Sequence, residues 1–568
     1  MQSACRAAVT QRARTLAAAG VLGLLGAAQL HAAPGDVKLS FDAPCKYPTG
    51  LATDGRHLFV LDWMEAQVHE ISPADGPGAP GLVRSFAAPA LRPQGLTWGD
   101  GRLFVSDDRS GSVYALNPDT GIVDWSFVAP GEQPTGLAYV GDSLFLLERK
   151  GGQLYKLNPA DGTILNYLPA PNATCTALAY DGRYLWSADR VRDELYMIEP
   201  ATGSVLGIVA APGPYAAGLA CLDGYLWNVD FQTRKVYQLI LHEPGGPERK
   251  YRLTDPRTAR VEMLWTLHNY GPGEVRDLVV GLALPQKLAN LEVLSPPEFA
   301  TPPTRTVPDR WGQPCAVYEL PSLAAGARKV LSYTVTAKVS AIRFLVFPEE
   351  CGTLADIPQD IRQQYTADGA RYRIASPALK EIVKKVVGDE QNPARIAWKV
   401  YDYVVDALDY EMVGGWDIPE VVLKRGKGSC SEYTFAYIAL CRAAGLPARY
   451  QGSVVVRGDD ACIDDVFHRW AQVYLPNYGW VPVDSSRGGK KIPVDRSRGF
   501  GELSNRYLIT TEGGGASEYL DWDYNAFARY KTTGYAKVEE EKFALWEPLQ
   551  ATTTTTAPAA EPPQCKPK

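Results

Sequence analysis

The chain has 568 residues, 46% of them hydrophobic, with 58 Lys and Arg against 64 Asp and Glu and a formal charge of −6. That length calls for about two to four domains. A near-balanced charge without any basic block excludes the electrostatic footprint of a nucleic-acid binder. At the N-terminus, Arg6, Arg12 and Arg14 precede an apolar run from Leu16 to Leu30, and small residues Ala32 and Ala33 follow. This is the pattern of a secretory signal peptide over residues 1–33. The run is short and rich in alanine and glycine for a membrane span, with an uncleaved anchor as the alternative. The mature chain is therefore expected to be secreted or periplasmic, with no integral membrane segment.

Residues 34–248 repeat. Pro48-Thr-Gly-Leu-Ala-Thr-Asp-Gly-Arg-His-Leu-Phe-Val-Leu-Asp62 recurs at Pro93 to Asp107, Pro134 to Glu148, Cys175 to Asp189 and Ala216 to Asp230. The anchoring positions Gly50, Gly95, Gly136, Ala177 and Gly218 are spaced by 45, 41, 41 and 41 residues. Periods near 40 built from short strands and turns predict an all-β propeller, here of five blades. The segment Val37 to Phe41 reads as the strand that completes the last blade. The units resemble NHL/YVTN-like propeller repeats, a likeness of fold that leaves the ligand open; a protein or a cell-envelope component is the expected partner. The recurring acids Asp62, Asp107, Glu148, Asp189 and Asp230 are read as caps of the turns that follow them rather than as a metal ring.

Residues 249–350 alternate in short strands, as in Val261, Met263, Trp265 and Leu267, with turns such as Asn269-Tyr-Gly-Pro-Gly273. They predict an immunoglobulin-like β-sandwich. From Ser376 the pattern turns helical: Ser376-Pro377 and Asn392-Pro393 are cap-plus-proline starts, and Ile396, Val400, Tyr403, Val404 and Ala407 recur at helical spacing. Helices followed by strands over 351–550 give an α+β unit. The tail 551–568, rich in Thr and Pro, is expected to be disordered.

Within that unit, Ser429-Cys430-Ser431-Glu432 is an S-x-x-E capping box, which makes Cys430 the first residue of an apolar helix ending near Gly445 and Pro447. Unsatisfied N–H groups and the helix dipole favour a thiolate there. His468 follows 38 residues later, in an alternating strand whose Trp470, Gln472 and Tyr474 share its face and whose Phe467, Ala471, Val473 and Leu475 form the other. If the turn runs from Leu475 to Gly479, Tyr474 faces Trp480 and Asp484 becomes a same-face diagonal neighbour of His468. A turn one residue shorter would separate them. Cys430, His468 and Asp484 then read as nucleophile, general base and acid, and orienting carboxylate. An inert helix cysteine beside a satisfied strand histidine is the competing interpretation.

These motifs, Gly-x-Cys-x-Glu opening a helix, Arg442-Ala-Ala-Gly-Leu-Pro-Ala-Arg449 ending it, then His-x-Trp-x-x-Val-Tyr-Leu and Gly-Trp-Val-Pro-Val-Asp, resemble the transglutaminase-like superfamily of papain-type thiol enzymes. The resemblance implies an acyl-enzyme at Cys430 formed from a peptide or isopeptide-type amide of a peptide or protein substrate. Hydrolysis is expected. Cross-linking of the glutamine–lysine type, or a propeller-centred binding protein with an inactive thiol domain, are the alternatives. Tyr410 is the candidate for completing the oxyanion hole, whereas Trp398 and Trp416 read as core or rim. No cofactor or metal is implied. Of ten cysteines, setting aside Cys5 and Cys430 leaves eight, an even number compatible with disulfides. Cys441 with Cys462 and Cys315 with Cys351 are the first pairs to consider, with free buried thiols as the alternative.

Overall fold

A computed structural model describes residues 32–73, 80–241, 250–412, 416–458 and 461–549. Residues 1–31 of the proposed signal peptide and the tail from 551 onward lie outside these residues. The repeats fold into five four-stranded antiparallel sheets. One runs Pro93–Gly99, Arg102–Asp107, Ser112–Leu116 and Val123–Val128. The N-terminal strand Asp36–Asp42 pairs antiparallel with Lys235–Ile240 and so completes the sheet of the last repeat. The first strands of all five sheets surround a narrow channel lined by Thr49 to Leu51, Gln94 to Leu96, Gly136, Leu137, Thr176 to Leu178 and Ala217 to Leu219.

Close approach around that channel explains the repeating glycine. A Cβ at Gly95 would lie 2.0 Å from the Thr135 carbonyl oxygen, and one at Gly136 would lie 2.6 Å from the Ala177 backbone. At Gly95, Gly136 and Gly218 the neighbouring backbone leaves no room for a side chain, whereas the fourth repeat carries Ala177 at this position. The recurring acids are buried and cap turns. Asp62 accepts from the N–H groups of Met64 and Glu65 and, across the sheet edge, Tyr47. Asp107 accepts from Arg109 and Leu91 in the same way. Among the described residues, no group of three or more His, Cys, Asp or Glu side chains could hold a metal ion.

The middle of the chain forms two antiparallel sheets. One is centred on Tyr251–Pro272 paired with Arg328–Phe344, and the other on Val275–Ala283 paired with Pro314–Leu323. They share a core that includes Trp265, Val280 and Tyr333, and the Tyr333 hydroxyl donates to the Ala283 carbonyl at 2.8 Å. Both sheets also recruit the end of the chain. Ala536–Pro548 pairs with Tyr251–Pro272, and Ala526–Thr532 pairs with Val275–Ala283. The sequence assigns these strands to the α+β unit because local alternation carries no record of a partner more than 240 residues away.

The α+β segment places the helices Pro377–Val386, Pro393–Ala407, Pro419–Arg425 and Cys430–Ala443 beside a sheet ordered Gly479–Val483, His468–Leu475, Ala448–Val455, Tyr507–Gly513. Asn392 caps its helix by accepting from Arg395 N–H. The Cys430 helix is buried from Cys430 through Arg442, the central position of an α+β core. The repeat region docks through Glu194, which pairs with Arg498 at 2.6 Å and Arg343 at 3.3 Å, and through Val494, which packs among repeat residues. All eight cysteines in the described residues are free thiols, so neither Cys441–Cys462 nor Cys315–Cys351 is bonded. Sequence proximity to the same segment does not bring two Cβ atoms within bonding distance. No helix among the described residues is long and apolar enough to cross a membrane.

Candidate active site

Ser429 is the N-cap and Cys430 the first helical residue, and Glu432 accepts from the Ser429 N–H at 2.9 Å. Glu432 is fully buried and pairs with Arg425 at 2.7 Å, which fixes the loop that enters the helix. The Thr434 hydroxyl bonds both the Cys430 carbonyl at 2.7 Å and the Arg469 carbonyl at 3.2 Å, tying the helix start to the neighbouring strand.

That strand begins at His468. Its register with the returning strand pairs Tyr474 with Trp480 and Leu475 with Gly479, the register on which a His468–Asp484 contact depends. His468 Nε2 lies 2.7 Å from Asp484 Oδ2. The imidazole and the Cys430 thiol are close enough to shift one another's protonation, so the three side chains are neighbours in one site. Asp484, only 2% exposed, also accepts from the Ser486 hydroxyl at 2.6 Å. Tyr507 stacks on the imidazole at 5.5 Å between ring centres. Phe467, just before the histidine, sits in the left-handed region at φ 55, held by its N–H bond to Asp464. Unusual backbone of this kind concentrates where a neighbouring side chain must be aimed.

The electrostatics follow from this arrangement. Burial pushes the Cys430 thiol up, but the hydrogen bond and charge of His468, with the Arg469 N–H and charge, outweigh it and hold the thiol below its ordinary value. Burial pushes His468 down, and Asp484 with the Cys430 sulfur overcomes this and holds the imidazole well above its usual range. Burial raises Asp484 and the imidazolium more than reverses it, so the carboxyl is held low. The arrangement favours a thiolate–imidazolium–carboxylate state. Other thiols go the opposite way: burial raises Cys175 and Cys351 to about 12.

Tyr410 stands beside Cys430. The short parallel pairing of Asp409–Tyr410 with Lys427–Gly428 brings it to the helix start, close enough for Cys430 to influence its hydroxyl. It is half-exposed. Trp398 instead packs against Tyr401 and Phe500, away from the thiol, and Trp416 packs on Phe435.

One buried residue escaped the sequence reading. Arg469 is fully buried inside a cage of Trp416, Phe435, Tyr450 and Tyr524, with its guanidinium carbon 4.2–4.8 Å from the ring centres. Its Nη2 donates to the Trp522 carbonyl at 2.9 Å, while Nε and Nη1 are buried without a hydrogen-bond partner among the described residues. The cation is held by aromatic faces, and its charge adds to the groups that hold the Cys430 thiol low. The signal was present: Arg469 falls on the strand face otherwise made of Phe467, Ala471, Val473 and Leu475, and a charge on an apolar face calls for a reason.

Comparison with known proteins places these observations in a family context. Residues 380–485 match the model of the transglutaminase-like superfamily, and residues 45–174 match one described as outer membrane protein assembly factor BamB. An uncharacterized protein of Haemophilus influenzae is 31% identical over 159 residues, which cover 23% of this chain and 42% of that relative; the match thus spans less than half of the relative's length. Among solved structures, a candidate cysteine protease from Cytophaga hutchinsonii is 15% identical with a TM-score of 0.37, covering 52% of this chain and all of that one. Glutaminyl cyclase from Myxococcus xanthus is 15% identical with a TM-score of 0.33, covering 36% of this chain and 95% of its own. The chain thus carries a transglutaminase-like core that holds Cys430, His468 and Asp484, preceded by propeller-type repeats.

Proposed function

We propose that Cys430, His468 and Asp484 are the catalytic residues of a thiol enzyme that takes an acyl group from a peptide or isopeptide-type amide and delivers it to water. The observation that carries this reading is the buried Asp484 carboxylate 2.7 Å from His468, with the helix-start Cys430 thiol held low by that same imidazole. The thiolate attacks the amide carbonyl, and the resulting oxyanion is held by the Cys430 N–H and the Tyr410 hydroxyl. The imidazolium gives its proton to the leaving amine, which leaves a thioester on Cys430. His468, now neutral, takes a proton from water as it attacks, and the acid departs. Asp484 fixes the tautomer and balances the imidazolium throughout.

Water is favoured over an amine as the second substrate because the rim is open: Tyr410 and Met412 are 50% and 63% exposed. The deciding experiment supplies one acyl donor with and without a lysine-type amine. Free acid as the dominant product in both supports hydrolysis, and transfer to the amine as the main route replaces it with cross-linking.

We read the five four-stranded sheets as five blades of one closed propeller, and the two-sheet unit as an immunoglobulin-like sandwich coupling it to the thiol core. The BamB-type match supports a propeller that binds a protein or cell-envelope partner. The residue 1–33 pattern supports a secreted or periplasmic location.

A further inference from the structure

The capping acid is the same kind of residue in every repeat, but the residue after it is not. These next positions are Trp63, Asp108, Arg149, Arg190 and Phe231, and all five line one cavity of about 290 Å³ over the central channel. The fold fixes the acid through its turn and leaves the following side chain free to differ, so this ring is where the five-fold repeat is broken.

The break divides the cavity in two. On one side are the aromatic rings of Trp63, Tyr215 and Phe231, with Phe231 5.3 Å from Tyr215. On the other are cations. Arg92 is neutralised by a two-point pairing with Asp108. Arg149 bonds only the neutral Gln133 side-chain oxygen, and Arg190 bonds the Tyr215 hydroxyl at 2.9 Å. Among the described residues neither has a carboxylate partner. Burial, and then repulsion from Arg190, hold Arg149 below its ordinary value, the mark of a cation short of anions. The Thr176 hydroxyl, from a further lining residue, is buried without a hydrogen-bond partner.

We propose that this cavity binds a small organic carboxylate with an apolar or aromatic body, the chemistry of the C-terminal residue of a peptide. The carboxylate meets Arg149 and Arg190, whose planar guanidinium groups match it. The body lies against Trp63, Tyr215 and Phe231. The volume suits one residue-sized group. The site is separate from the thiol and does not depend on its activity.

The test uses the full-length chain carrying Cys430→Ala, so that turnover does not enter, with binding read by calorimetry. The probes are N-acetyl-phenylalanine, N-acetyl-phenylalaninamide and inorganic phosphate. The acid is expected to bind at least about tenfold more tightly than the amide or phosphate, a difference of about 1.4 kcal/mol. Adding Arg149→Gln and Arg190→Gln should remove that preference while Trp63→Ala weakens acid and amide alike. Equal binding of acid and amide overturns the proposal, as does phosphate binding as tightly as the acid or no binding up to about 10 mM. Should the arginine variants not fold, the acid-to-amide ratio on the parent decides alone.

Discussion

Replacing Asp484 by Asn tests the electrostatic logic of the site without knowledge of the substrate. The carboxylate lies 2.7 Å from His468 Nε2, so the two charge centres are about 4 Å apart, which at an effective dielectric near 20 is worth roughly 4 kcal/mol. In the wild type the thiolate–imidazolium pair exists above the depressed thiol value and below the elevated imidazole value. It disappears on acidification when the thiol protonates and on alkalinisation when the imidazole loses its proton. Without Asp484 the imidazole falls, the thiol loses its cationic partner and rises, and the window closes from both ends. The rate of Cys430 alkylation by iodoacetamide, followed by peptide mass mapping from pH 5 to 9, should fall roughly 10²- to 10³-fold at pH 6 in Asp484→Asn and recover as pH rises. Asn can also hold the wrong tautomer, so turnover should fall about 10²- to 10⁴-fold. A change below about threefold in both would refute the role assigned to Asp484.

Arg469→Met should slow the same alkylation at pH 6 several-fold while Arg469→Lys retains most of it, because the effect is the fixed charge inside the aromatic cage; equal rates in both would make Arg469 purely a packing residue. Gly95→Ala drives a Cβ to 2.0 Å from the Thr135 carbonyl and should cost about 3 kcal/mol or more in urea unfolding. Gly224→Ala, at φ +77 with open space around it, should cost only about 1–2 kcal/mol. Deleting Asp36–Asp42 leaves Lys235–Ile240 as an unpaired edge, and should lower the melting temperature far more than trimming residues 551–568; equal small shifts would mean that the ring is closed some other way.

Features set by short-range chemistry could be read from the sequence. Ser429 and Glu432 locate the helix start, and Pro476-Asn477-Tyr478-Gly479 gives the turn whose register brings Asp484 under His468. The repeat period gives the sheets, and the glycine at its centre marks the close inner strands. What could not be read depends on distant partners. Nothing local in Ala526–Thr532 or Ala536–Pro548 says that these strands close sheets begun at Val275 and Tyr251. The thiols of Cys315, Cys351, Cys441 and Cys462 bracket segments in sequence, yet they remain unpaired in the fold. Arg469 lies between the two cases, since its place on an apolar strand face was visible but the cage that receives it comes from four separate segments.

The central claim is that Cys430 becomes acylated, and intact-protein mass spectrometry after rapid acid quench of a reaction with an activated peptide ester measures it directly. The account predicts a single acyl adduct that maps to Cys430, forms more slowly in His468→Ala, is absent in Cys430→Ala, and decays in water. An unmodified wild-type chain, or an adduct on another cysteine that forms equally well in Cys430→Ala, would contradict it.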